Sequence, residues 1–173
     1  EAVSLCGKEA YVAFDVGPTG RMLKPYGDLD FEDAVAAFAE TVKLGVKYGV
    51  DLILIETMND SLETKAALLA VKENSDLPVF VSNAYGEDGK LMTGADPGAM
   101  VALLEGMGAD AIGVNCSLGP KALAPIVEKY LELSSNALTG NIPPEIGNLT
   151  QLKQLALERN KLTGQTIAEL RVL

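Results

Sequence analysis

The chain has 173 residues, 48% of them hydrophobic and 22% charged, with a net charge of −10. That length holds one good core, or one core and a small appendage, and the acidic balance excludes nucleic acid or an anionic membrane surface as the main partner, because both repel negative protein. Histidine is absent, which removes Ser–His and Cys–His nucleophiles, His proton shuttles and His-ligated metals.

The longest apolar runs are strand-sized, so no membrane-spanning segment is expected. No basic, apolar leader opens the sequence, and no signal peptide is expected. The two cysteines, Cys6 and Cys116, are too few for a disulfide scaffold and suit a reducing, cytoplasmic setting.

In chain order, Glu1–Lys8 reads as the end of a helix. Four continuous apolar runs then follow: Tyr11–Phe14, Leu52–Ile55, Pro78–Val81 and Ala111–Val114. Unbroken rather than alternating runs are expected of parallel strands covered by helices. Between them lie apolar residues at helical spacing. Phe31, Val35, Phe38, Val42 and Val46 form one stripe. Leu62, Ala66 and Leu69 form the next, after an Asp60-Ser-Leu-Glu63 start with Asp60 as cap. Met100, Leu103, Leu104 and Met107 form a third. Leu123, Ile126, Val127 and Tyr130 form a fourth, after Pro120. Strand and helix thus alternate four times, which predicts right-handed crossovers and a parallel sheet with half the strands of a (β/α)8 barrel.

Each strand ends in polar chemistry: Asp15, Glu56-Thr57, Ser82-Asn83 and Asn115-Cys116. In parallel α/β folds those ends share one rim, where ligands bind. Any one such position is explained by a strand simply stopping at polar residues; four together favour a site. No Gly-x-Gly-x-x-Gly follows a strand and no Gly-Lys-Ser/Thr occurs, so no nicotinamide or nucleotide cofactor is expected.

Three segments carry a resemblance: Asp15-Val-Gly-Pro-Thr-Gly20, Leu54-Ile-Glu56-Thr-Met58 and Gly108-Ala-Asp-Ala-Ile-Gly-Val-Asn-Cys-Ser117. Together, over residues 1–130, they resemble the homocysteine-binding barrel of cobalamin-dependent methionine synthases, within the zinc-dependent homocysteine S-methyltransferases. The resemblance implies a zinc ion held by three cysteine thiolates, which lowers the pKa of the homocysteine thiol for methyl transfer. It places Cys116 as the first zinc ligand and Glu56 on the substrate's amino group, with Asp15, Asn83 and Asn115 at rim positions. The family's adjacent cysteine pair has no counterpart here, nor has its opening strand. Cys6 precedes the first strand, roughly 15 Å from the rim by strand rise, against Zn–S bonds of about 2.3 Å. The zinc site is therefore expected to be incomplete and zinc not to bind.

After Tyr130 the pattern changes. Leu131-x-Leu133-x-x-Asn136-x-Leu138-Thr-Gly140 returns one repeat later, with Leu131 matching Leu155, Leu133 matching Leu157 and Asn136 matching Asn160. Residues 131–173 resemble plant-type leucine-rich repeats, in which the leucines point inward from short strands and the asparagines bond neighbouring turns. Glu128 stands where an upstream repeat leucine is expected. The expectation is an α/β fold of two parts, a partial (β/α)8 barrel over 1–130 and about two repeat units over 131–173, with strands at Leu131–Leu133 and Leu155–Leu157 continuing one parallel sheet.

On this reading the chain is a structural chimera, engineered or rearranged, without catalysis. The alternatives are a homocysteine S-methyltransferase fragment with residual zinc or homocysteine binding, and a leucine-rich-repeat interaction module. Self-association through an exposed sheet or solenoid edge is expected, because unpaired strand edges invite pairing.

Overall fold

The computed structural model describes residues 10–133, together with Leu5, Gly7, Thr139–Gly140 and Lys161–Leu162. Four strands alternate with four helices: β1 (Ala13–Val16), α1 (Phe31–Lys47), β2 (Leu52–Met58), α2 (Ser61–Asn74), β3 (Val79–Asn83), α3 (Pro97–Gly106), β4 (Ala111–Val114) and α4 (Pro120–Leu133). The sheet is parallel throughout, in the order β1-β2-β3-β4. The four apolar runs thus mark the four strands. The first starts two residues later than expected, and β2 continues through the polar Glu56-Thr57 to Met58.

Helices cover one face of the sheet. Ile53, Ile55, Met58, Val79 and Val81 point to that face and are 0–2% exposed, against Phe38, Val42, Ala66, Leu68, Met100 and Leu104 in the same core. Fully burying such a side chain stabilises by roughly 1.5–3 kcal/mol, so this layer dominates the fold's stability. No described helix covers the opposite face. Asp15, Leu54, Phe80 and Ala111 are register neighbours across all four strands and so share that face. Phe80 is 38% exposed there.

Local chemistry sets the helix ends. Asp60 caps α2 by accepting from Glu63 N at 2.7 Å, and Asp96 caps α3 by accepting from Ala99 N at 2.9 Å. The expected capping box is only half made: the Glu63 carboxylate bonds Thr19 instead of returning to its own helix start. Gly45 lets α1 press onto β1, because a Cβ there would sit 2.7 Å from Phe14 Cδ1.

Past Tyr130 the strand expectation is corrected. Leu131 and Leu133 close α4 rather than open a strand. The reason is periodicity: Ile126, Val127, Tyr130 and Leu131 continue the three-and-four spacing of a helix, and the Leu-x-Leu spacing does not interrupt it. Tyr130 is 6% exposed, in the core of the preceding fold. Asn136, Leu155, Leu157 and Asn160 lie outside the described residues, as does nearly all of the expected first helix. Two short strands, β5 (Thr139–Gly140) and β6 (Lys161–Leu162), pair in parallel as a separate two-stranded sheet. Thr139 pairs with Lys161, whereas aligning the repeats would set it opposite Thr163. The expected single continuous sheet is therefore not formed by the described strands.

Candidate functional site

The strand ends of β2, β3 and β4 converge on one amide. Asn115, just past β4, donates from Nδ2 to Glu56 Oε1 at 2.9 Å and to Thr57 Oγ1 at 2.8 Å. Its Oδ1 accepts from Ser82 Oγ at 3.1 Å, and Ser82 Oγ accepts from Thr57 N at 3.1 Å. The Asn115 amide is thus oriented by both its ends. Thr57 Oγ1 lies 3.8 Å from the thiol of Cys116. Glu56, Thr57, Ser82 and Asn115 are half-buried, while Cys116 is exposed at the edge of the cluster.

The backbone is bent to make this arrangement. Thr57 has φ 60°, and Cys116 and Ser117 have φ 54° and 52°. Left-handed backbone is uncommon for non-glycine residues and an outlier for a β-branched one. It costs on the order of 1–3 kcal/mol per residue and gathers at functional sites. At Thr57 it coincides with a register shift between Ile55 and Met58 in the β2–β3 pairing. The bend turns the Thr57 N–H toward Ser82 and the Thr57 hydroxyl toward Asn115 and Cys116.

Of the residues expected at the site, Glu56, Asn115 and Cys116 come together. Asp15 lies on the same face, level with Leu54 and so one strand step below Glu56; it is exposed and outside the hydrogen-bonded cluster. Asn83 is turned to the helix side. Fully buried, it donates from Nδ2 to Met58 O and to Thr64 Oγ1, both at 3.2 Å. That is a structural tie between β3, β2 and α2. Cys6 lies outside the described residues.

Sequence reasoning counted Thr57 and Ser82 among the strand-end polar residues that together favour a site and gave them no individual role; the structure makes them the hinge of the network. It also missed Glu63, which is 3% exposed and holds the β1–α1 loop by accepting from Thr19 N at 2.7 Å and Thr19 Oγ1 at 2.5 Å. Glu63 and Asp60 line a shallow cleft of about 140 Å³ with Pro18, Gly20, Arg21 and Met92. The only sequence signal for this contact was the hydroxyl inside the Gly17-Pro-Thr-Gly20 turn.

Chemically, the rim offers one half-buried carboxylate held at one oxygen, two hydroxyls, one oriented amide and one exposed thiol. Such a set can accept a cationic group at the carboxylate and exchange hydrogen bonds at the hydroxyls and amide, beside an exposed thiol. Among the described residues no three His, Cys, Asp or Glu side chains converge to hold a metal ion. None of the described helices is long and apolar enough to cross a membrane.

Comparison with known proteins agrees with this architecture. The structure superposes on the crystal structure of the apo homocysteine methyltransferase MmuM from Escherichia coli with a TM-score of 0.65 and 21% identity, over 92% of this chain and 60% of that one. The sequence is 33% identical over 132 residues to methionine synthase of Mycobacterium leprae (strain TN), covering 73% of this chain and 11% of that protein. The chain therefore spans a minor part of that relative's length. The sequence profile of the homocysteine S-methyltransferases matches residues 1–169, and the chain belongs to the homocysteine S-methyltransferase family.

Proposed function

We propose that this chain is a homocysteine-binding fragment of a methionine-synthase-type methyltransferase barrel, with the substrate at the Glu56–Asn115–Cys116 rim. The observation that carries the reading is the Asn115 clamp. By fixing Glu56 Oε1 it holds the carboxylate still, and Oε2 takes no hydrogen bond from the described residues. A fixed carboxylate with one free oxygen suits a charge-assisted bond to the ammonium of an amino acid. An amino acid held there could lay its side-chain sulfur toward Thr57 and Cys116.

The family's zinc does not fit the described residues. A catalytic zinc site takes three protein ligands, and the rim supplies one thiol, Cys116, with no converging set of three. No step through zinc is therefore assigned to this chain, and its own residues are given binding and orientation of the substrate. A second reading, a structural chimera without catalysis, is supported by the same single thiol.

The test is calorimetric titration with L-homocysteine, 4-mercaptobutyrate and L-homoserine. Binding of homocysteine that weakens at least tenfold in Glu56→Gln, and weakens likewise for 4-mercaptobutyrate, supports the ammonium site. Weaker homoserine binding would place the sulfur. No homocysteine binding at millimolar concentration would sink this reading and leave the chimera.

A further inference from the structure

Strand β2 carries a bulge, and the rim cluster is built on it. Ile55 pairs with Val81 and Met58 with Asn83, so Glu56 and Thr57 together stand opposite Ser82 alone. An extra residue of this kind leaves the ladder and re-aims a side chain. Side chains alternate faces along a strand. With Ile55 in the helix-covered core, an unbroken strand would send Thr57 there too and turn Met58 away. The bulge reverses this. Met58 is fully buried in that core, and the Thr57 side chain joins Glu56 on the side of Ser82.

The bulged residue closes a ring of hydrogen bonds on itself. Thr57 N donates to Ser82 Oγ at 3.1 Å, the Ser82 hydroxyl donates to Asn115 Oδ1 at 3.1 Å, and Asn115 Nδ2 donates back to Thr57 Oγ1 at 2.8 Å. Nδ2 also leaves the ring to donate to Glu56 Oε1 at 2.9 Å. A serine hydroxyl has one proton and a primary amide has two. Ser82 gives its proton to Asn115, and Asn115 gives its two to Thr57 and Glu56. Neither residue keeps a proton for a ligand, so each acts on one through Glu56.

We infer that Ser82 is a positioning residue for the ammonium group of the ligand, acting through the Asn115 amide on the Glu56 carboxylate. The terminal torsions of Asn and Glu are broad and roughly twofold. Both bonds at Nδ2 hold one end of the Asn115 amide; the bond at Oδ1 holds the other, and Ser82 is its donor. The Thr57 N–H occupies a lone pair of Ser82 Oγ and so directs the Ser82 proton to Asn115. Glu56 is then held at Oε1 with Oε2 presented to the ligand. A carboxylate already in place does not have to be immobilised on binding, which is the source of the gain from preorganisation. The ligand's identity rests on the homocysteine reading; the aim of Glu56 rests on the ring alone.

The test compares Ser82→Ala with Ser82→Thr, which keeps the hydroxyl, by calorimetry with L-homocysteine and with 4-mercaptobutyrate, which lacks the ammonium. Ser82→Ala is expected to weaken L-homocysteine about three- to tenfold and 4-mercaptobutyrate by less than about twofold. Ser82→Thr is expected to bind both as the wild type does. In a Glu56→Gln background, Ser82→Ala is expected to weaken L-homocysteine no further, because the two residues act as one unit. If Ser82→Ala unfolds, Ser82→Val against Ser82→Thr, two side chains of one shape, decides in its place. A second measurement needs no ligand. The Asn115 side-chain amide protons, followed by NMR, are expected to exchange with solvent faster in Ser82→Ala and at the wild-type rate in Ser82→Thr. Equal weakening of the two ligands, the same loss in the Glu56→Gln background, or unchanged Asn115 exchange each overturns the proposal. A wild type that binds no L-homocysteine overturns the homocysteine reading instead, and the Asn115 exchange then decides whether Ser82 aims Glu56.

Discussion

The hydroxyls of Tyr85 and Tyr130 lie 2.7 Å apart, their rings edge to face with centroids at 6.1 Å and planes at 85°. Tyr85 follows β3 and is fully buried, and Tyr130 lies near the end of α4 at 6% exposure. The pair ties the last helix to the middle of the sheet, at the very residue where the sequence changes character.

Burial raises both phenols: Tyr130 is pushed from its ordinary 10.0 up to about 12, and Tyr85 is held higher still by burial and the bond to Tyr130. The unfolded chain therefore ionises these groups first as pH rises. Stability from the pair is intact below pH 10 and is lost as pH climbs from 10 through about 12. Raising Tyr130 from 10.0 to about 12 corresponds to about 3 kcal/mol. Urea unfolding at pH 8, 10 and 11 reads this directly. Tyr130→Phe is expected to flatten the alkaline loss, and to cost about 1–3 kcal/mol at pH 8 because the buried Tyr85 hydroxyl loses its partner. An alkaline loss of equal size in the variant would show that other groups cause it.

Removing the Asn115 amide tests the rim without any ligand. Asn115→Ala deletes donors to Glu56 and Thr57 and the acceptor for Ser82. Half-buried polar groups are then left to water, so the expected cost is about 1–2 kcal/mol. Amide exchange should speed up at Thr57, whose N–H bonds Ser82. Unchanged exchange at Thr57 would mean that the left-handed bend of β2 holds itself without the network.

Much of this fold was legible because the chemistry was local. Continuous apolar runs and three-and-four stripes mark strands and helices wherever one face is buried, and each of the four runs meets its strand. The rim was legible in part: Glu56, Asn115 and Cys116 stand at strand ends, and the topology brings the ends together. The role of Thr57 was not, since it depends on a positive φ that no β-branched residue advertises. Asn83 misled because strand ends alternate faces, and the face is fixed only by register. Leu131 and Leu133 misled because Leu-x-Leu fits a repeat strand, while their neighbours Val127 and Tyr130 extend a helix. The Thr19–Glu63 bond spans a separation that no local pattern reports.

Gly45 offers a substitution whose sign depends on its neighbour. Glycine within a helix costs about 1 kcal/mol relative to alanine, so Gly45→Ala gains that much before packing is counted. The new methyl would meet Phe14 at 2.7 Å from Cδ1 and 2.8 Å from Cγ. These are inner ring atoms that cannot swing aside, and overpacking costs about 1–3 kcal/mol. The net expectation is destabilisation by about 1 kcal/mol. In a Phe14→Leu background the ring is gone, and Gly45→Ala is expected to stabilise by up to about 1 kcal/mol. A double-mutant cycle by chemical denaturation checks the change of sign; the same effect in both backgrounds would refute the steric account.

Two aspartates at helix starts separate a working cap from a nominal one. Asp60 is 7% exposed and accepts from Glu63 N at 2.7 Å. Asp30 stands in the same position before α1 but makes no cap bond; its carboxylate pairs with Lys24 at 2.8 Å on the surface. Asp60→Ala is expected to cost about 1–2 kcal/mol, the upper part of the range for a lost cap, because the freed N–H belongs to Glu63 and is buried. That loss also loosens Glu63, whose carboxylate holds Thr19, so amide protection at Thr19 should fall with it. Asp30→Ala removes an exposed, solvent-screened ion pair and should change stability far less than Asp60→Ala. Equal losses in the two variants would mean that helix-start charge, rather than the cap bond, supplies the stabilisation.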